Sequence, residues 1–526
     1  MKKEKQMTVP PGADASFGLT RNWKAINWKA AQQQVRRLQV RIAKAVKNGN
    51  YRRASALQWL LTHSRAAKLL AVRQVTTNRG ANTPGVDNVT WRTDRQKLHA
   101  ADNLKRHGYR PHPLRRIYIP KKNGKLRPLS IPTLHDRAMQ ALHALALAPV
   151  AETLADPNSY GFREGRGCAD ALRHVHNVLS RQCSPQWVLE GDIKACFDEI
   201  RHEWLRHHVF MDKQTLGKWL KAGYWEKGHL FPTRKGTPQG GVISPILANI
   251  ALDGMQKAIS QAVSKTGDKV NFVRYADDFI VTGATKELLE QKVKPALTAF
   301  LTPRGLELSE QKTVITHLNQ GFNFLGHTVR KFGDKLLTYP AKSSVKALRE
   351  KISLCIKSAL GKPQEALLRQ LNPLLRGWAN YYRHGASKRT FNRLDHHVFW
   401  QLLRWAKRRH PKKTAAWRRQ KYFSAAARNG HFSVRLTKEG GASQVLVLYE
   451  ASSTAIRRHV KIIGAANPYD PQYSQYFEKR RRFTRGVRYG EGNALTPQTQ
   501  PHTRIVSHWL QDAAACPHRG APVGEA

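Results

Sequence analysis

The segment VNFVRYADDFIVTG, residues 270–283, constrains the fold of this chain more than any other. It places two adjacent acids, Asp277 and Asp278, between two apolar runs that are typical of β-strands. An ionised carboxylate removed from water is unstable unless something neutralises it. The two acids must therefore be protonated, paired with a base or bound to a metal ion, although an Asp-Asp pair alone also fits an ordinary turn.

A second acid-bearing segment favours the metal ion. VLEGDIKACFDEI, residues 188–200, puts Asp192 directly after an apolar run, where a strand should end. Three carboxylates at two strand ends, 85 residues apart in the chain, can meet in space and hold two Mg²⁺ ions, for which oxygen ligands are preferred. Two such ions about 3.5–4 Å apart would activate a 3′-hydroxyl and stabilise a leaving pyrophosphate. Asp192 taken alone also fits a turn or a helix cap.

The charge of the chain indicates its partner. Its 526 residues include 90 Lys and Arg against 36 Asp and Glu, a formal net charge of +54, which predicts binding to a polyanion, most simply nucleic acid. A membrane-surface protein is the alternative, but no amphipathic anchor and no apolar run of 18 residues is present, so we expect no membrane partner. The N terminus lacks the apolar stretch of a secretory signal. The five cysteines form no CxxC pair, which argues against zinc and disulfides and for a reducing cytoplasm.

The hydrophobic pattern divides the chain into regions. Residues 23–47 have the apolar spacing of a helix. From about residue 85 to 330, β-rich runs alternate with helical stretches, which is typical of an α+β fold. Between residues 331 and 430, 24 Lys and Arg stand against four acids and helical periods dominate, with Asn372 and Pro373 suited to begin one helix. The last 45 or so residues are rich in Arg, Gly, Pro and Thr and should fold poorly alone.

The motifs of this chain, in their order, resemble a known family. Beside the two acid-bearing segments they are TPQGGVISPILANI (237–250), KKNGKLRPLSIP (121–132), SYGFREGRG (159–167), GLELSEQKT (305–313), FNFLGH (322–327) and LNPLLRGWANYYRH (371–384). Over residues 22–480 they are similar to the bacterial group II intron-encoded reverse transcriptases and maturases. The resemblance implies an α+β, right-hand polymerase fold with fingers and a ferredoxin-like palm, followed by an α-helical thumb/maturase domain.

Five regions follow from this resemblance and from the composition. They are an N-terminal helical extension (1–75), the reverse transcriptase fingers and palm (76–330), the helical thumb/maturase domain (331–425), a basic DNA-binding region (426–483) and a poorly ordered tail (484–526). Many family members continue into an HNH endonuclease with paired cysteines, whereas here AACPHRGAP has Cys516 but Arg519 in place of a second cysteine. We therefore expect only an endonuclease remnant without activity. If the DNA is not cut by this protein, insertion of the intron would need another primer, such as a nascent strand at a replication fork.

The resemblance also implies roles for individual residues around the acids. Asp192 and Asp277 would ligate two Mg²⁺ ions, Asp278 would complete the catalytic site, and Ile193 would contribute its backbone carbonyl. The residues implied to bind the incoming dNTP are Lys125, Arg127, Phe197, Gln239 and Lys312. Lys125 and Arg127 follow an Asn-Gly hairpin signal and would reach the triphosphate. The ring of Phe197 would occupy the space of a 2′-hydroxyl, and Gln239 would contact nucleotide and template. Lys312 would assist the leaving pyrophosphate. A solvated hairpin, a core phenylalanine and a surface lysine are the simpler interpretations.

Six arginines are candidate nucleic-acid contacts. Arg163 and Arg166 lie in a glycine-punctuated loop that would touch template phosphate. The other four, Arg376, Arg383, Arg393 and Arg404, interleave with Trp378, Tyr381, Tyr382, Trp400 and Trp405. We expect most of these aromatic rings to pack in the helical core instead of stacking on bases. The implied partners are dNTPs, a template–primer duplex, target DNA and the group II intron RNA, which is recognised mainly through shape, 2′-hydroxyls and phosphates.

The leading interpretation is an RNA-directed DNA polymerase that reverse transcribes its intron RNA and helps it splice. One alternative is a maturase without polymerase activity, which the three acids oppose because splicing alone needs no metal site. Another is a reverse transcriptase of a retron, diversity-generating or phage-defence lineage, which RGWANYYRH and the basic region beyond it disfavour. A viral-type RNA-dependent RNA polymerase would more often carry GDD, and Phe197 disfavours ribonucleotides.

Overall fold

The computed structural model describes residues 22–120, 124, 126–264, 267–424, 430–437 and 443–489. Lys125, and the segment beyond residue 489 in which we expect an endonuclease remnant, lie outside these ranges. Within the described ranges, the helices are too short or too polar to cross a membrane.

Four helices form a bundle at the N-terminal end of the described chain. They are α1 Trp28–Lys47, α2 Tyr51–His63, α3 Arg65–Thr76 and α4 Asp94–Asp102. Each begins at a polar side chain that accepts a backbone N–H, such as Asn27 before α1 and Thr93 before α4. The helix expected over residues 23–47 is present from Trp28, after a 3₁₀ turn at Trp23–Ala25. The apolar stripe of α1 is buried against the long helix Leu134–Leu154 of the next region.

A small sheet and several helices follow. The elements are β1 Leu114–Pro120, β2 Leu126–Ile131, α5 Leu134–Leu154, α6 Cys168–Leu179, β3 Trp187–Gly191, α7 Cys196–Glu199, α8 His202–His208, α9 Lys213–Leu220, β4 Tyr224–Glu226 and β5 His229–Phe231. Strands β2-β1-β4-β5 form the first sheet, with β1 and β2 antiparallel and β1 parallel to β4. Helix α5 is buried on most sides because Ala and Leu recur all around it.

A second sheet, which we call the central sheet, is completed by the next elements. These are α10 Ser244–Leu252, α11 Met255–Ala262, β6 Asn271–Tyr275, β7 Asp278–Gly283, α12 Lys286–Leu288, a π turn at Leu289–Val293, α13 Lys294–Leu301 and β8 Val314–His317. The strand order is β6-β7-β3-β8 and every neighbouring pair is antiparallel. Leu189 and Val281 face one hydrophobic cluster, while Val188 and Ile280 face another. The alternation of a strand thus buries both faces, which explains the continuous apolar runs in the sequence.

The C-terminal part is mainly helical, as expected. Its elements are β9 Phe322–Phe324, β10 His327–Phe332, β11 Lys335–Pro340, α14 Lys342–Ser358, α15 Gln364–Tyr382, α16 Lys388–Arg409, α17 Ala415–Phe423, β12 Ser433–Thr437 and β13 Ser443–Val447. The boundary that we predicted at residue 330, between the fingers and palm and the thumb/maturase domain, falls inside β10. The reason is that the change to a basic composition begins within the β10–β11 hairpin. The prediction that Asn372 and Pro373 begin a helix is wrong. Helix α15 runs through Pro373 because its buried leucine stripe continues on both sides, from Leu367 to Leu375.

The last described segment returns to the central sheet. After β13, residues 459–473 lead into α18 Ser474–Tyr489, and Ile462 lies in the same buried cluster as Val188. Asp170 on α6 accepts hydrogen bonds from His459 Nε2 at 3.0 Å and from Arg480 at 2.6 Å. The region predicted over 426–483 as one basic domain therefore has two parts. Strands β12 and β13 contact helices α15 and α17, whereas residues 459–480 pack on the central sheet.

Candidate active site

Two neighbouring strands of the central sheet bring the three predicted acids to one edge. Strands β3 and β7 pair antiparallel with Gly191 opposite Phe279, so the next residue, Asp192, comes opposite Asp278. Asp277 lies in the two-residue turn between β6 and β7. The carboxylates therefore meet although 85 residues separate them in the chain.

The turn that carries Asp277 is strained and closely supported. Ala276 has a φ of +58°, a left-handed conformation that costs a non-glycine residue about 1–3 kcal/mol. The segment before α6 runs beside it, because Tyr160 N donates to Arg274 O at 2.9 Å. A Cβ at Gly161 would lie 2.4 Å from Ala276 N. Main chain thus supports the turn so closely that no side chain fits at position 161.

The pKa values of the acids show that they interact. Removal from water raises the pKa of Asp277, and the charge of Asp192 adds to this, while a backbone hydrogen bond, Arg127 and Lys312 oppose it. Removal from water raises the pKa of Asp278 to about 6, with further contributions from the other two acids. Three carboxylates at one edge repel each other, so this site favours the binding of positive charge.

Lys312 supplies part of that positive charge. Its Nζ lies 2.9 Å from Asp192 Oδ2. The loop that carries this lysine is fixed to the acid's own backbone, because Ser309 N donates to Asp192 O at 2.8 Å and Ile193 forms a bridge with Leu308. The strand end and the lysine loop therefore form one unit.

The chemistry of these residues fits a divalent metal ion, although they do not form a closed ligand cluster. Across the described residues, no three His, Cys, Asp or Glu side chains converge closely enough to hold one ion. The donors at the edge are nevertheless all oxygens, they carry negative charge, and their proximity raises the pKa of two of them. Such a donor set suits Mg²⁺. The groups that would hold it are the carboxylates of Asp192, Asp277 and Asp278 and the carbonyl of Ile193.

The predicted nucleotide-binding residues lie around the acids at different positions. Arg127 is exposed on β2 and close enough to lower the pKa of Asp277. Phe197 on α7 is half-buried, with its ring edge-on to that of Phe162 at 6.3 Å between centroids. Gln239 Nε2 donates a hydrogen bond of 2.9 Å to the carboxylate of Asp198, which is also on α7. Arg127 and Lys312 thus face the acids, while Phe197 and Gln239 form the α7 side of the site.

Arg163 and Arg166 lie inside the protein, which corrects the expectation that they contact template phosphate. Arg163 donates to both carboxylate oxygens of Glu152, at 2.8 and 2.7 Å, and to two backbone carbonyls. Arg166 donates to Gly464 O at 2.8 Å, and its side chain is 1% exposed. Buried guanidinium groups need such partners. Both arginines therefore hold the protein together instead of facing nucleic acid.

The four arginines of the C-terminal helices divide in a similar way. Arg383 is buried and donates to Asn380, which corrects its assignment to nucleic acid. Arg376, Arg393 and Arg404 are exposed. The last two line a groove of roughly 490 Å³ on α14 and α16. Only these three remain candidates for contact with phosphate among the predicted arginines.

The aromatic residues of these helices are mostly core, as expected. Tyr382 and Trp405 are buried and Trp378 is half-buried. Two residues are exceptions. Trp400 is 48% exposed and lines the same groove as Arg393, and Tyr381 is 39% exposed although its hydroxyl donates to Leu325 O at 2.9 Å.

One set of buried polar residues beneath the turn was missed in the sequence. Arg274 is fully buried in β6 and donates to Asp253, Asn249 and Ala276 O. Burial raises the pKa of Asp253 to about 6, against the effect of the adjacent guanidinium. A signal was available: an arginine in VNFVRYA and an asparagine in ILANIAL interrupt apolar runs, and such residues need partners when buried.

Three family models match the chain in succession. They are the N-terminal domain of reverse transcriptase over residues 23–104, the reverse transcriptase (RNA-dependent DNA polymerase) over 119–329, and the group II intron, maturase-specific domain over 345–423. These matches confirm the resemblance of the motifs and the right-hand polymerase fold. The central sheet lies within the reverse transcriptase match, and helices α14–α17 coincide with the maturase-specific match.

Individual relatives agree with this result. Protein YkfC of Escherichia coli (strain K12) is 36% identical over 303 residues, which are 49% of this chain and 78% of that protein. The group II intron-encoded protein LtrA of Lactococcus lactis subsp. cremoris is 30% identical over 354 residues, 55% of this chain but only 59% of LtrA. A solved telomerase from Candida albicans aligns at 15% identity with a TM-score of 0.34 over 61% of this chain and 63% of its own, too low to support an argument. This chain belongs to the family of group II intron-encoded reverse transcriptases and maturases.

Proposed function

We propose that this chain is an RNA-directed DNA polymerase that copies the RNA of a group II intron and assists its splicing. The main support is the meeting of Asp192, Asp277 and Asp278 at one edge of the palm. Carboxylates that repel each other in this way have no role in packing, whereas nucleotidyl transfer needs them. Membership of the family supports intron RNA as the template.

The three acids, Ile193 and Lys312 would have different roles in nucleotide addition. Mg²⁺ ions held by the three carboxylates and the carbonyl of Ile193 would supply the charge that activates a 3′-hydroxyl and stabilises pyrophosphate. Lys312 is paired with Asp192, and the triphosphate of a dNTP offers it competing anionic oxygens.

The walls of the site select and hold the nucleotide. Arg127, and Lys125 two residues before it in the sequence, would bind the triphosphate. Phe197 would limit the space at the 2′ position and so favour deoxynucleotides, while Gln239 would hold the α7 side of the site against the nucleotide and template.

The thumb/maturase helices would bind the nucleic acid. Exposed Arg376, Arg393 and Arg404 lie on helices with few acids and would contact backbone phosphates. The partners that we propose for this surface are the template–primer duplex, the intron RNA and the target DNA.

Primer extension on an RNA template, with dNTPs and Mg²⁺, tests the polymerase function. The unchanged protein should extend the primer, and Asp277→Asn should abolish extension while RNA binding, measured by filter retention, stays within about twofold. Asp334→Asn is the matched control, because it makes the same change in an exposed hairpin turn between β10 and β11 and should extend normally. In Phe197→Ala, incorporation of ribonucleotides should rise relative to deoxynucleotides.

Two further assays separate the alternatives. A protein that does not extend primers but accelerates splicing of its intron RNA would be a maturase alone, and the polymerase proposal would be wrong. The absence of endonuclease activity stays a prediction, which nicking of a supercoiled target plasmid would contradict.

A further inference from the structure

A buried layer of polar side chains lies beneath the turn that carries Asp277. At its centre is Arg274, whose side chain is fully buried beside α10. One terminal nitrogen donates to Asp253 Oδ1 at 2.5 Å, and the other donates to Asn249 Oδ1 at 3.1 Å and to Ala276 O at 3.3 Å. A guanidinium group is planar and rigid, so acceptors on different sides fix both its place and its orientation.

Asn249 connects this arginine to the segment on the other side of the turn. Its Nδ2 donates to Gly161 O at 2.9 Å, while its Oδ1 accepts from Arg274. The backbone of Gly161 lies against Ala276 N. Ala276 therefore accepts a hydrogen bond at its carbonyl from Arg274, and a peptide that Asn249 fixes packs closely against its amide. A left-handed alanine persists only where its surroundings enforce that conformation.

The layer is balanced in charge, which shows which member can be changed safely. Its ionisable groups are three carboxylates and three guanidinium groups: Glu152, Asp156, Asp253, Arg163, Arg166 and Arg274. Removal of one charged member leaves another charge buried without its counterpart, which destabilises the protein strongly. Asn249 carries no charge, so its removal breaks the link to the turn without unbalancing the layer.

We infer that Arg274 and Asn249 are positioning residues that hold the turn of Asp277 in the geometry required for metal binding. Neither residue touches the substrate, and the inference rests on the proposed polymerase function. It predicts that loss of the link affects metal affinity and kcat, whereas the binding of RNA and dNTP stays almost unchanged.

The test uses Asn249→Ala in the full chain, with two readouts. Binding of Mn²⁺ to the protein alone, followed by the electron paramagnetic resonance signal of free Mn²⁺, should be several-fold weaker than for the unchanged protein. In primer extension, kcat should fall by about tenfold or more, since a displacement of about 1 Å can reduce a rate by about 10²-fold. The KM for dNTP should stay within about twofold, because the residues that bind the nucleotide are untouched.

Gln58→Ala is the matched control. Gln58 is also a buried amide, on α2, and its Nε2 donates to Ala146 O at 3.2 Å and to Phe210 O at 3.0 Å. It should lower the melting temperature to a similar extent and leave Mn²⁺ binding and kcat unchanged. Arg274→Lys is a second variant that keeps the charge opposite Asp253 but cannot reach all three acceptors, and it should behave like Asn249→Ala.

The outcomes are distinct. If Asn249→Ala and Arg274→Lys lower only the melting temperature, as Gln58→Ala does, these residues are merely structural and the inference is overturned. If the unchanged protein does not extend primers, the proposed function fails, and the Mn²⁺ comparison still decides whether the layer positions the acids.

Discussion

Replacement of Gly161 by alanine tests how closely the turn that carries Asp277 depends on the segment beneath it. The added Cβ would lie 2.4 Å from Ala276 N, 3.0 Å from the carbonyl carbon of Tyr275 and 3.1 Å from Ala276 Cα. Favourable contacts between such atoms begin at about 3.5 Å, so the two segments must separate by about 1 Å. All three neighbours are main-chain atoms, which cannot turn aside as a flexible side chain can.

The displacement falls on Asp277, the residue after Ala276. A shift of about 1 Å should lower kcat by about 10²-fold, which corresponds to about 2.7 kcal/mol in the activation barrier. Overpacking should also reduce stability by about 1–3 kcal/mol. Single-turnover primer extension on RNA measures the first effect, and thermal unfolding measures the second.

Gly267→Ala is the control for this experiment. A Cβ at Gly267 meets no atom within 4 Å, and its φ is not left-handed, so extension and melting temperature should match those of the unchanged protein. If Gly161→Ala retains the normal kcat, the turn does not depend on this packing and the reasoning is refuted.

Three further predictions concern Lys312, Asp278 and the arginines Arg404 and Arg163. Lys312→Ala should lower kcat by about 10²-fold if the lysine assists pyrophosphate release, but should barely change the melting temperature, since exposed ion pairs contribute only about 0–1 kcal/mol; the reverse pattern would show a structural role. Because burial raises the pKa of Asp278 to about 6, the folded protein binds this proton more tightly than the unfolded chain, and without divalent ions its stability should fall as the pH rises from about 4 through 6. Mg²⁺ should then raise the melting temperature more at pH 7.5 than at pH 5.5, and equal effects would contradict the assignment. Arg404→Ala should reduce the salt slope of RNA binding by about one, whereas Arg163→Ala should leave the slope unchanged and destabilise the protein by about 3–5 kcal/mol through loss of the buried pair with Glu152.

Much of the fold could be predicted because its signals are local. The apolar runs around Asp192 and Asp277 form β3, β6 and β7, and the helical period of residues 23–47 forms α1. The prediction failed at Pro373, where a local rule for helix starts competed with a buried leucine stripe. Tertiary packing overrides a local preference when more apolar surface is buried by continuing the helix than is lost at one proline.

The juxtaposition of Asp192, Asp277 and Asp278 could be predicted for a physical reason that their neighbours do not share. A carboxylate between apolar strands is an energetic problem with few solutions, so its presence in the sequence already points to a metal ion. An arginine in a basic chain poses no such problem, because most arginines are simply solvated.

The family, the fold class and the three carboxylates could thus be predicted from the residues alone, since each depends on local pattern and chemistry. The cations that are available to nucleic acid could not be predicted in this way, because their exposure depends on the folded chain. Arg166 and Arg393 both stand in basic segments, yet the first donates to Gly464, almost 300 residues away in the chain, and the second faces an open groove. What a charge does depends on how much water surrounds it and on which distant segment lies beside it, and only the folded chain sets those two quantities.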